Sequence, residues 1–295
     1  ANWGTAGFNP IGNSSGNPLK IFNGIFDGKG FTISNLYINR PTENFVGLFG
    51  YVNTGSIIKD IGLENINIKG QYYVSGLVGW NYEENITNSY VTGDVSGTND
   101  FVGGLVGNNL GIIEDSYVTA TVNGADYVGG LAGYGYKGTV KNSYTIGDVK
   151  GSNSVGGLIG SMDDGEIQES YSYMNVNGKV NVGGLVGNII IGLVKFSYAS
   201  GEVFAENMYA GGLVGFNNSG RIENSYAVGN VSGNSNIGGL VGDNWNGGVI
   251  LNSYSNGNVL GFYNAMGGLV GSNSGTIKNT YSSGKVETEN YLGGG

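Results

Sequence analysis

Short runs in which Val, Ile or Tyr alternate with Gly, Ser, Thr or Asn recur along the chain, separated by Gly-Asn and Gly-Ser turn signals. Period-two alternation over three to six residues predicts strands and not helices. The runs also repeat. A block close to apolar-Gly-Gly-Leu-Val-Gly places its Leu at Leu48, Leu77, Leu105, Leu131, Leu158, Leu185, Leu213, Leu240 and Leu269, at intervals of 26 to 29 residues. A second block, usually Asn-Ser-Tyr, places its Tyr at Tyr90, Tyr117, Tyr144, Tyr171, Tyr198, Tyr226, Tyr254 and Tyr281, at intervals of 27 or 28. A third, Gly-polar-Val-polar-Gly, closes the unit in copies such as 93–97 and 229–233.

One unit reads as three short strands, at 102–107, 112–117 and 120–122. Such a unit cannot bury its apolar face alone, so neighbours must stack. The expected fold is all-β: a single parallel β-helix (β-solenoid) of about ten coils, each of 26–29 residues and three short strands. Right-handed coiling is expected by likeness to the common parallel β-helix. At about 4.8 Å per coil the rod would be roughly 50 Å long. In-register stacking would put the repeated Leu in an internal aliphatic ladder and the repeated Tyr in an aromatic one. Two residues before each Tyr stand Asn88, Asp115, Asn142, Glu169, Phe196, Asn224, Asn252 and Asn279, an expected amide ladder that Phe196 interrupts. The paired Gly residues mark bends or close backbone approach.

Residues 1–40 lack the Gly-Gly-Leu-Val-Gly block and carry Trp3, Phe8 and Pro10, so they are expected to be an N-terminal cap and first coil. The repeats proper are assigned to 41–295. The chain opens at Ala1, and Tyr291-Leu292-Gly293-Gly294-Gly295 starts like Tyr127-Val128-Gly129-Gly130 and then stops. A segment ending in mid-repeat, cut from something longer, is therefore expected.

The Gly-Leu-Val-Gly blocks resemble GLUG-motif repeats over about residues 44–295, and Phe26-Asp27-Gly28-Lys29-Gly30 is similar to the coil that often precedes them. The resemblance implies a part of a large bacterial or archaeal surface protein, adhesin-like or IgA-peptidase-like. In such peptidases a separate metalloprotease region carries the zinc chemistry. This chain has no His, hence no His-Glu-x-x-His site, and only the scaffold role is implied.

Composition narrows the chemistry. With 59 Gly, 3 Pro and 12% charged residues the chain is no ordinary globule, yet 39% hydrophobic residues and 20 Tyr supply a core that disorder lacks. No G-X-Y period exists, which excludes collagen. The absence of Cys and His removes disulfides, thiol nucleophiles and the commonest general base and zinc ligand. A net charge of −9 disfavours nucleic acid and anionic membrane faces. No apolar run approaches 18 residues, so no membrane insertion is expected within this segment.

Catalysis on a β-helix face would need converging carboxylates with Lys or Arg. The densest acidic cluster is Asp163-Asp164-Gly165-Glu166, with Glu169 behind, and Asp94 and Asp148 hold equivalent places two coils apart. Elsewhere that place is Thr121, Asn175, Glu202, Asn230, Asn258 or Lys285, a variety that reads as solvent-facing tolerance. No catalytic, cofactor-binding or metal residue is assigned. The alternative is a structural calcium at Asp163, Asp164 and Glu166, although the Gly-Gly-x-Gly-x-Asp repeat of calcium-binding rolls is missing. Trp80, Tyr82, Tyr134, Tyr136, Phe216 and Trp245 follow the Leu-Val-Gly strands and could stack on sugars; local packing over the turns is the plainer reading. Asn13, Asn85, Asn217 and Asn230 head glycosylation sequons.

The function expected is that of a non-enzymatic extracellular structural or adhesive rod of a surface protein, with a surface glycan or protein as ligand. The alternative is a subunit of an extracellular filament or sheath, with itself as partner through solenoid ends or faces. A glycan-active β-helix enzyme stands third. No cofactor is expected.

Overall fold

The computed structural model describes residues 4–12 and 21–288. Trp3, the Asn13 sequon and the Tyr291–Gly295 segment lie outside these residues. The chain is a β-solenoid of about ten turns, whose strands form one 17-stranded and one 19-stranded sheet. Pairing between successive coils is parallel and joins like to like: Tyr117 to Tyr144, Val122 to Val149, Ile113 to Val140. Among the described residues the only helical element is a 3-10 turn at Gly4–Ala6, and no helix is long and apolar enough to cross a membrane.

In the middle coils neighbouring strands merge, as in Ile159–Gln168 and Tyr171–Gly183, whereas several other coils hold four short strands where the sequence pattern predicts three. In one unit they are Val102–Gly103, Val106–Asn109, Ile112–Glu114 and Tyr117–Asn123. The first and last belong to the larger sheet and the middle two to the smaller. The apolar run 102–107 breaks because the chain turns a corner at Gly104-Leu105. The run 112–117 breaks because Asp115 takes a left-handed conformation, φ 51°. Residues on both sides of each corner are buried, Val102 and Val106 at the first and Ile113 and Ser116 at the second, so each run reads as one segment.

The paired glycines are required by crowding and not by backbone angle. A Cβ on Gly103 would lie 2.0 Å from the carbonyl oxygen of Val106, and one on Gly104 would lie 2.2 Å from that of Gly130. Leu105 then points inward. From Leu48 to Leu240 the repeated Leu are no more than 3% exposed, and Leu269 packs against the same core half-buried. Each fully buried Leu contributes roughly 2 kcal/mol of transfer free energy.

Coils of unequal length keep register through bulges. Val91 and Gly93 lie opposite Leu63 and Ile66, and Gly178 and Val180 lie opposite Ala205 and Met208. Residues 25–39 continue the ladder: Ile25–Asp27 pairs with Ile57–Lys59, and Thr32–Ser34 and Tyr37–Asn39 both pair with the long strand Gly62–Gly70. Phe22 and Phe26 pack their rings on Phe49 at 4.8 and 5.2 Å. The Phe8 N–H donates to the carbonyl of Tyr37, tying the N-terminal stretch to this coil.

Candidate functional site

In the larger sheet the third block of each unit becomes a strand whose central Val points inward. Val122, Val149, Val176, Val203, Val231 and Val259 are all buried. Alternation turns the residues on either side outward, and register stacks them into two rows. One row runs Thr121, Asp148, Asn175, Glu202, Asn230 and Asn258. The other runs Asn123, Lys150, Asn177, Phe204, Ser232 and Leu260. Between the rows lies a groove of about 650 Å³ that continues to Glu287.

The rows differ in how their polar groups are used. In the first, Asn175 Nδ2 donates to Asp148 Oδ1 at 3.0 Å, and Asn175 Oδ1 accepts from the Glu202 N–H at 3.2 Å. Asn230 and Asn258 accept in the same way from the backbone N–H of Asn258 and Lys285, at 3.1 and 3.0 Å. In the second row the side chains of Asn123, Lys150 and Asn177 have no hydrogen-bond or ion-pair partner. Phe204 stands beside them, 37% exposed. Asn175 separates the carboxylates of Asp148 and Glu202, so the groove offers alternating acceptors and donors in place of a converged acid pair.

The acidic cluster sits elsewhere, in the Ile159–Gln168 strand of the smaller sheet. Glu166 pairs with Lys195 at 2.7 Å and Asp163 accepts from the Tyr134 hydroxyl at 3.5 Å. Among the described residues no three acids gather where a cation could be held, so the calcium alternative has no site there. Of the six aromatics, Trp80 packs on Tyr73 and Phe45, Tyr134 on Phe101 and Tyr127, and Phe216 on Tyr209. Tyr136 and Trp245 are exposed. Asn217 is fully buried, whereas Asn85 and Asn230 are exposed.

The repeated Tyr form a continuous outer stack from Tyr90 to Tyr281, with ring centroids 4.8 to 5.1 Å apart. Tyr90 ends it by donating to Glu64 at 2.7 Å, and this bond raises its pKa to about 12. The residues two before each Tyr are all left-handed, φ 46° to 55°. Asn tolerates that conformation best among residues with a side chain. Side-chain amides hydrogen-bond to the coil before, as Asn88 Nδ2 does to Asp60 and Asn279 Nδ2 to Asn252.

Two further ladders escape the sequence reading. The Ser preceding each Tyr is buried and receives the N–H of the previous coil's Ser, from Ser89 through Ser253. An inner amide ladder lies four residues after Leu, with Asn81 donating to Asn109, Asn217 to Asn244 and Asn244 to Asn273 at 2.7 to 2.8 Å. Gly135, Met162 and Ile189 replace it in the middle coils. The recurrence of Asn at this place in five coils is the signal that could have found it.

Comparison with known proteins finds the GLUG motif in four segments, residues 70–96, 102–123, 206–232 and 262–287, so the chain carries GLUG-motif repeats. It is 40% identical over 102 residues to halomucin of Haloquadratum walsbyi, covering 35% of this chain and 1% of that protein. It is 36% identical over 112 residues to a "Putative Gly-rich membrane protein" of Evansella cellulosilytica, covering 38% of this chain and 10% of that one. The chain thus spans only a small part of either relative. Among solved structures, a "putative immunoglobulin A1 protease" from Bacteroides ovatus aligns at 18% identity and a TM-score of 0.43, over 96% of this chain and 75% of that one.

Proposed function

We propose that this chain is a non-enzymatic extracellular rod, one segment of a larger surface protein, whose outer faces make adhesive contacts. The observation that carries this reading is the coil-to-coil register, which runs through both sheets from Ile25 to Thr288. Stability in such a stack comes from nearest-neighbour interfaces and gives length and stiffness with little sequence complexity. The two relatives support it, since the match covers 1% and 10% of their lengths, as a repeated segment of a long protein would. One of the two relatives is itself named as a membrane protein.

Scaffold duty also fits the disposition of charge. Glu166 is neutralised by Lys195, Glu114 by Lys141, and the groove acids are interleaved with amides. General acid–base work on a glycosidic bond needs two carboxyl groups flanking one site. Immunogold electron microscopy of intact source cells, with an antibody to this segment, tests the reading. Label on rods outside unpermeabilised cells is the expected result. Label that appears only after permeabilisation would overturn it, and continuous fibres built of this chain alone would assign it to a filament instead.

A further inference from the structure

We propose that the groove between the Asp148 and Lys150 rows binds an unbranched, uncharged polysaccharide lying parallel to the coil axis, with one sugar opposite each coil. This rests on the reading of the chain as an extracellular rod and names what the rod would hold.

Shape favours a polymer. The lining extends from Thr121 to Glu287 across successive coils, so a chain can pass along it where a small molecule would be held on few sides. Outward positions of the two rows recur at the coil spacing, which the stacked Tyr rings report as 4.8 to 5.1 Å. That interval is close to the advance of one hexose in an extended glycan.

Chemistry points to sugar. Asn123, Asn177 and Lys150 present donors with no partner in the protein, and Asp148 and Glu202 present acceptors, a mixture that suits hydroxyl groups. Phe204 and Leu260 offer apolar surface to the C–H face of a ring. The opposite row is already fixed by its own hydrogen bonds, so little ordering is left to be lost on binding. Charge decides between glycans. Asp148, Glu202 and Glu287 outnumber Lys150 in the lining, and the chain carries −9 overall, so uronates, sulfated glycans and nucleic acids are repelled. An extended peptide would need an unpaired strand edge, and the strands under the groove are paired on both sides.

The test is affinity electrophoresis of the full chain through gels containing hydroxyethylcellulose or linear mixed-linkage β-glucan, against gels with polygalacturonate or heparin. Retardation by a neutral polymer, weakened about tenfold in Phe204→Ala and in Asn177→Arg, is expected. Trp245→Ala, exposed outside the groove, should bind as the parent does. Asn177 has no side-chain partner, so Asn177→Arg removes no native contact and serves if Phe204→Ala fails to fold. The proposal is overturned if no polymer retards the chain, if polyanions retard it equally, or if only Trp245→Ala loses binding. Surface rods seen by immunogold without any glycan retardation would discard this proposal and leave the rod standing.

Discussion

The backbone N–H of Ser143 donates to Ser170 Oγ at 3.1 Å, and Ser170 Oγ gives its own proton to the carbonyl of Gln168 at 2.8 Å. The hydroxyl therefore carries a bond between coils and one within its own coil. In Ser170→Ala the Gln168 carbonyl keeps the N–H of Asn142, but the Ser143 N–H is left buried without an acceptor. The expected cost is roughly 2 kcal/mol. Hydrogen exchange should show it as faster exchange confined to the coils around Ser143, and protection unchanged there would contradict this account.

Phe196 occupies a slot that suits Asn. It is left-handed at φ 51° and 55% exposed, and the next coil has Asn224 in the same place with the same geometry. A bulky side chain pays for that conformation without burying its ring. Phe196→Asn is therefore expected to stabilise the chain by roughly 1 kcal/mol, read as a higher denaturant midpoint. A lower midpoint would mean that the exposed ring makes a contribution this geometry does not explain.

Asp243 is 5% exposed, and its Oδ1 has no partner. Burial raises its pKa above the ordinary 3.8. The unfolded chain therefore loses this proton first, and stability falls as pH rises through the ordinary value and then through the raised one. Asp243→Asn should be more stable at neutral pH by on the order of 1 kcal/mol. The gain should fade in acid, below the unfolded value. Equal melting temperatures for both chains across that range would refute the assignment.

The tyrosine stack should make the rod sensitive to alkali. Tyr90 at its end is raised to about 12, mainly by its bond to Glu64, and Tyr134, packed outside the stack, is raised as far mainly by burial. Burial also raises Tyr144, Tyr171 and Tyr226. A raised folded pKa gives stability that is complete below the unfolded value of 10.0 and lost as pH climbs through the folded one. Tyrosinate absorbance should thus appear at higher pH in the folded chain than in denaturant, and unfolding should set in above about 10. Coincident titration curves would show that the stack does not exist in solution.

The fold class was legible because solenoid stacking turns sequence period directly into spatial register. Leu105 and Tyr117 recur at nearly fixed spacing because each must meet its own copy in the next coil. The corners were not legible. Asp115 lies in a run with no Gly or Pro to mark a turn, and Gly104-Leu105 lies inside an apolar block, so four strands read as three. One wall of the groove is visible in the sequence as the variable row of Thr121, Asp148 and Asn175, whose variety reads there as tolerance to solvent. The other wall has no signature in the sequence, because Asn123, Lys150, Asn177 and Phe204 share no chemistry. Only the fold shows that they line one depression.

The like-to-like pairing has a consequence for how such a chain can change length. Tyr117 meets Tyr144, and Tyr144 meets Tyr171, through the same atoms. Excision of residues 144–170 would bring Tyr117 to Tyr171 and the Ser143 N–H to Ser197, with like still paired to like. The product is expected to fold and to be shorter by about 4.8 Å, a change that small-angle scattering on a series of such excisions would detect. Copy number is then a dial for reach, one that recombination between repeats in the coding DNA can turn without inventing a single new contact.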